Sequence, residues 1–94
     1  MFVLRIEHRV PSWERWQQAF ASDPAGRREG GVKRYRVLRA VDDPDLVMID
    51  LEFASRPEAE AFLTRMRAIW GRSEGTVITG PSARLAEQIE AREP

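Results

Sequence analysis

The chain has 94 residues, enough for one domain (residues 1–94) and not for two, and its 43% hydrophobic and 32% charged side chains exclude a disordered polymer. Fifteen basic and fifteen acidic residues cancel, so no net positive field favours nucleic acid or an anionic membrane surface. The absence of cysteine excludes disulfides, thiolate metal sites and cysteine nucleophiles; with no signal-peptide pattern and no apolar run that could span a bilayer, the composition fits a cytoplasmic protein.

Residues 2–9 alternate as a strand, with Phe2, Leu4, Ile6 and His8 on one side and Val3, Arg5 and Glu7 on the other. Pro11 ends it, and Ser12 can cap a helix by accepting from an orphan backbone N–H. Trp13, Trp16 and Phe20 then share one helical face, and Asp23-Pro24 stops the helix near Ser22. Ala25 to Gly31 is a glycine-rich loop carrying Arg27-Arg28. A second strand is expected from about Val32 to Val41, with Tyr35 and Val37 on one face and Arg34, Arg36 and Leu38 on the other.

Asp42-Asp43-Pro44-Asp45 has the composition of a turn. The strongest strand in the chain follows, Leu46 to Phe53: Val47, Ile49, Leu51 and Phe53 alternate with Met48, Asp50 and Glu52. The two strands make a hairpin. Pairing Val41 with Val47 keeps the apolar faces together, with Val37 opposite Leu51, Tyr35 opposite Phe53 and Arg36 opposite Glu52. A one-residue slip would exchange the faces, so the hairpin loop should hold an odd number of residues.

Ser55-Arg56-Pro57-Glu58 reads as a capping box. Ala59, Phe62, Leu63, Met66, Ile69 and Trp70 form the amphipathic stripe of a second helix, closed by Gly71. Residues 71–81 read as a loop in which Thr76 to Thr79 can pair briefly. Ser82 to Ala91 suits either strand or helix, and the free sheet edge favours a strand.

The order strand, helix, strand, strand, helix, strand predicts an α+β, ferredoxin-like βαββαβ domain: a four-stranded antiparallel sheet, order 4-1-3-2, with two helices on one face. The helix-facing side collects Phe2, Leu4, Ile6, Tyr35, Val37, Val47, Ile49, Leu51 and Phe53. The open side collects Val3, Arg5, Glu7, Arg34, Arg36, Leu38, Met48, Asp50 and Glu52, an acidic central strand between two that contribute arginines. A solvated face explains these residues, and so does a second sheet stacked on it.

With its N-terminal strand ending at His8, its tryptophan-bearing first helix, the strand ending in Glu52-Phe53 and the helix opened by Ser55-Arg56-Pro57-Glu58-Ala59, the chain resembles the dimeric α+β-barrel superfamily over nearly its whole length. That group includes antibiotic-biosynthesis-type monooxygenases, muconolactone-isomerase-like and small polyketide-cyclase-like proteins, and many of unknown function. The resemblance implies a homodimer whose two sheets close a shared barrel. It implies no cofactor: the cofactor-independent oxygenases of the group use asparagine, tryptophan and histidine, of which this chain lacks asparagine, and the haem-degrading members need a helical histidine.

The candidate site residues follow. His8, the only histidine, titrates near neutrality, at about 6.5, and is the candidate general acid or base; the competing reading is a hydrogen-bonded strand end. Trp13, Trp16 and Tyr35 are candidate ligand contacts, with core packing the alternative for the tryptophans. Arg5, Glu7, Arg34, Arg36, Met48, Asp50 and Glu52 belong to a polar sheet face or dimer interface. Arg27-Arg28 can hold an anion or simply be solvated. No phosphate loop, metal-spaced cluster or Ser/His/Asp set can be assembled, and a charged open face does not suit RNA.

The expected function is binding of a small apolar or aromatic molecule. The alternatives are a cofactor-independent monooxygenase, cyclase or isomerase acting on an aromatic or polyketide-like substrate, and a structural or protein-interaction module.

Overall fold

A computed structural model describes all of residues 1–94. Its elements are β1 (Phe2–Arg9), α1 (Trp13–Ala21), β2 (Val32–Arg39), β3 (Leu46–Phe53), α2 (Arg56–Ser73) and β4 (Thr79–Glu87). The strands form one antiparallel sheet in the order β2-β3-β1-β4, the split arrangement expected from the sequence. The C-terminal segment is therefore a strand, although it starts three residues earlier than its apolar pattern suggests and ends at Glu87.

Alternation sorts the two sheet faces. Leu4, Ile6, Val47, Ile49, Leu51 and Phe53 are buried on one face beneath Trp16, Ala59, Phe62 and Trp70 of the helices. Phe53 and Phe62 lie at the centre of that layer, rings 5.5 Å apart. Both helix starts use the predicted caps. Ser12 Oγ accepts from the Arg15 amide, and Ser55 Oγ accepts from the Glu58 amide while its hydroxyl donates to the Glu58 carboxylate at 3.0 Å.

Three local expectations are corrected. The β2–β3 register keeps the predicted faces but is slid by two residues: Val37 faces Ile49, Arg36 faces Asp50 and Arg34 faces Glu52. Parity alone cannot separate registers two apart. The observed one gives each carboxylate of β3 an arginine, whereas the expected one would have set Leu38 opposite Asp50. The number of residues between the last partners, Arg39 and Val47, is odd as anticipated.

Strand β2 stops at Arg39, leaving Val41 fully exposed in the turn. The turn is fastened to β1 by Arg9, whose two Nη groups donate to the Asp43 carboxylate at 2.6 and 2.9 Å. Finally, α2 runs two residues past Gly71 to Ser73, because the orphan carbonyls are taken up by the next turn: the Ser73 carbonyl accepts from Thr76 and Val77.

The glycines make a sharp test of this packing. A Cβ on Gly30 would stand 2.5 Å from Cδ1 of the buried Phe62 ring, while one on Gly71 meets nothing within 4 Å. Gly30→Ala is expected to lower the stability to urea by about 1–3 kcal/mol, and Gly71→Ala to raise it by about 0.5–1 kcal/mol.

Candidate functional site

Between the sheet, the two helices and loop 22–27 lies an open cavity of about 290 Å³. Its walls are mostly apolar: Ile6 and Ile49 of the sheet, Trp16 and Phe20 of α1, Phe62, Met66 and Trp70 of α2, and Ile78 just before β4. His8 enters it from the end of β1. It is 2% exposed, its ring centroid lies 5.9 Å from that of Trp16, and its Nδ1 is buried without a hydrogen-bond partner. Burial pushes the imidazole pKa below 6.5; the main chain of Arg9 and of His8 itself acts in the opposite sense but leaves Nδ1 unsatisfied. A neutral imidazole in an apolar cavity can accept or donate one hydrogen bond to a ligand.

Alternation places His8 there: it follows Leu4 and Ile6 on the helix side of β1 and keeps regular register with β3, opposite Val47, while β4 bulges beside it. In the β1–β4 pairing Glu7 faces Ser82 and Arg9 faces Thr79, so Gly80 and Pro81 both oppose His8. Gly80 takes the left-handed conformation that such a bulge requires (φ +60°), and Pro81 has no N–H to offer the ladder. The dipeptide Gly80-Pro81 was the sequence signal for this bulge, hidden in a stretch expected to be loop.

An aromatic chain continues outward from His8. Trp16 stacks on Phe20 at 5.0 Å and contacts Trp13 at 5.3 Å, and Phe20 meets Tyr35 edge-on at 5.3 Å. Of the three expected ligand contacts, Trp16 lines the cavity. Trp13 and Tyr35 lie outside its walls: Trp13 is covered by the Arg39 guanidinium at 4.8 Å, and Tyr35 is 46% exposed at the outer end of the chain.

Arg27 is held rather than solvated. Its guanidinium lies 4.0 Å from the Phe20 ring centre and 4.8 Å from that of Tyr35, donates to the Phe20 carbonyl at 2.9 Å and reaches Asp23 at 3.4 Å. Asp23 itself, at φ +54°, accepts from the Arg27 amide. The loop on one rim of the cavity is therefore latched to α1. A pair of adjacent arginines in a loop carries no sequence mark of such stacking.

The polar residues of the open face gather on the opposite side of the sheet. Asp50 is 4% exposed because Arg5 and Arg36 close over it, Arg5 Nε at 3.0 Å from one oxygen and Arg36 Nε and Nη2 at 3.0 and 2.9 Å from the other. Arg34 forks onto Glu52 at 3.0 and 3.2 Å, which raises the guanidinium pKa above its usual value. Met48 is half-buried, and Glu7 is exposed and in no ion pair. No group of three or more histidine, cysteine, aspartate or glutamate side chains is assembled that could hold a metal ion. No helix is long and apolar enough to cross a membrane.

No protein-family model and no curated protein matches the chain in sequence. Solved structures do match in shape. A MhuD variant crystallised with two manganese protoporphyrin IX molecules per active site aligns over 100% of both chains at TM-score 0.73 and 19% identity. A variant of SnoaB, a cofactor-independent oxygenase from Streptomyces nogalater, aligns over 96% of this chain and 94% of its own at TM-score 0.70 and 15% identity. A dimeric ferredoxin-like protein from an uncultured marine organism aligns over 97% of each chain at TM-score 0.66 and 10% identity. The chain thus has the ferredoxin-like α+β fold of these structures.

The burial of His8 has a measurable consequence. Above about pH 6.5 it is neutral in both folded and unfolded chains; as the pH falls through that value the unfolded chain takes up the proton first, so stability is lost down to the lower folded pKa. Asp43, held below its usual 3.8 by Arg9, contributes stability that is lost only as the pH falls below that value. Urea unfolding should therefore show a loss of stability between pH 7 and 5 that disappears in His8→Phe.

Proposed function

We propose that the protein is a homodimer in which each subunit binds a flat, mainly apolar molecule in the His8 cavity, with one hydroxyl or enol group of the ligand hydrogen-bonded to the imidazole. The observation that carries this reading is the buried, unpartnered Nδ1 of His8 among aromatic walls. A buried polar atom without a partner costs about 1–3 kcal/mol; Nδ1 is closed to water, and a ligand hydroxyl that reaches it as the imidazole turns toward the cavity would remove that penalty. Aromatic walls with one or two polar groups are the usual make-up of a small-molecule site, and about 290 Å³ lies at the small end of the range.

A metalloporphyrin, the molecule held in the MhuD structure, suits these residues poorly. The only imidazole projects from a strand, is 2% exposed and stands behind Trp16, and the cavity is small for such a macrocycle. The second reading, an isomerase, cyclase or oxygenase without a cofactor, is favoured by the place of His8, the only histidine, in the wall of the cavity. Burial keeps its imidazole neutral and able to take a proton from an acidic O–H or C–H of the bound ligand, while the same desolvation weakens it as a base. The SnoaB likeness supports this reading at the level of fold.

The homodimer is supported by the dimeric marine neighbour and by an open sheet face on which Leu38 remains 41% exposed beside half-buried Met48. Native mass spectrometry is expected to show twice the 10.8 kDa chain mass; a monomer at micromolar concentration would remove the dimer from the account. For the cavity, NMR titrations with 1-naphthol and 1-methoxynaphthalene should both perturb His8, Trp16 and Trp70. The naphthol should bind about 2–10-fold more tightly, the worth of one neutral hydrogen bond, and His8→Phe should abolish that preference. Titrations that leave all three residues unmoved would contradict the proposal.

A further inference from the structure

The His8 cavity is graded from floor to mouth, and its two ends differ in chemistry. The floor is buried: Ile6, His8, Trp16 and Trp70 are each 7% exposed or less. The mouth is marked by the wall residues that solvent reaches, Ser22, Pro24 and Arg72. Four titratable side chains line the cavity, His8, Asp23, Arg27 and Arg72. With the imidazole neutral, two arginines against one aspartate leave the wall one positive charge.

That charge belongs to Arg72. Asp23 and Arg27 answer each other: Asp23 Oδ1 accepts from the Arg27 amide at 2.9 Å and stands 3.4 Å from its Nε. Arg72 is in no ion pair, and Glu74, two residues on, does not reach it. Ser73 brings a hydroxyl to the same wall. An arginine in the last turn of a helix ordinarily answers the helix dipole and nothing more. In α2 the last carbonyls are already taken, Trp70 accepting from the Glu74 amide and Ser73 from the amides of Thr76 and Val77. The helix end therefore has its hydrogen bonds without Arg72, and its opposition to a bound anion is blunted.

We propose that the ligand of this cavity is an aromatic acid, whose carboxylate meets Arg72 and the Ser73 hydroxyl at the mouth while its hydroxyl or enol group meets His8 at the floor. The inference rests on the cavity reading given above and adds the ligand's charged end. One negative charge matches the one uncompensated positive charge of the wall; a dianionic phosphate would leave a charge unanswered. The mouth lies on the helix side of the sheet, across it from the open face assigned to the second subunit.

The test is NMR titration of the full chain at neutral pH with 1-naphthol, 5-hydroxy-1-naphthoate and 5-hydroxy-1-naphthamide. The naphthol reports on the cavity alone, and the amide carries the bulk of the carboxylate without its charge. The carboxylate is expected to bind about 5–10-fold more tightly than the amide, as a charge-assisted fork at an exposed position allows. Saturable shifts are expected at the Arg72 Nε–H as well as at His8 and Trp70. Arg72→Gln should bring the ratio of the two affinities to about one, and Arg72→Lys, which keeps the charge but not the fork, should retain part of it. Naphthol binding with a carboxylate no tighter than the amide, or a ratio that survives Arg72→Gln, would overturn the aromatic acid and leave the cavity reading standing. Three probes that all leave His8, Trp16 and Trp70 unmoved would overturn both.

Discussion

Asp50 is the charged side chain on which the arrangement of the sheet depends. It sits in the middle of β3, itself a central strand, and its two oxygens are divided between Arg5 of β1 and Arg36 of β2. One buried carboxylate thereby ties three strands in register on the open face, while Ile49 and Leu51 on either side of it are sealed beneath the helices. A carboxylate this enclosed is tolerated only where its hydrogen bonds are made, and removing either arginine would take away part of them and leave Asp50 with a single cation. The two neighbouring registers of the sheet are thus specified by polar pairing on one face and by apolar packing on the other.

The same strand logic separates two chemistries by the thickness of one sheet. On the helix side the walls are mostly aromatic and aliphatic, with Asp23, Arg27 and Arg72 among them, and burial pushes the His8 pKa below 6.5. On the open side arginines outnumber carboxylates along the central row. The bulge at Gly80-Pro81 links the two: it ends the regular β1–β4 ladder at Glu7 and leaves His8 opposite two residues instead of one. Bulges commonly re-aim a side chain next to a site, and this one lies beside the imidazole of the cavity.

Much of the fold was legible because it rests on period-two and period-3.6 patterns that local sequence carries openly. β1, β3, both serine caps and the strand order follow from alternation, capping chemistry and the element order. The two-residue slide of the hairpin was not legible from parity; the pairing of Arg34 and Arg36 with Glu52 and Asp50 was the deciding signal, whereas the expected register set Arg36 opposite Glu52, a pair the sheet does not make. Gly71 misled because a glycine after an apolar stripe is an ordinary helix stop, whereas here the stripe's last turn continues to Ser73. The cavity was partly legible: His8 and Trp16 were identified, but the contribution of Arg27 came from stacking on Phe20 and Tyr35, which no spacing announces. Trp13 and Tyr35 share the aromatic chain but not the cavity wall.

A neutral, unsatisfied imidazole inside an apolar cavity is the feature on which ligand binding depends, and the direct measurement is the titration of His8 itself by nitrogen-15 NMR of the imidazole, with and without 1-naphthol. A pKa below 6.5 in the free protein, with the Nδ1 resonance moving when naphthol is added, is the predicted result. An imidazole that titrates at or above 6.5 and is indifferent to the ligand would show a solvated strand end, and the cavity would lose its polar partner.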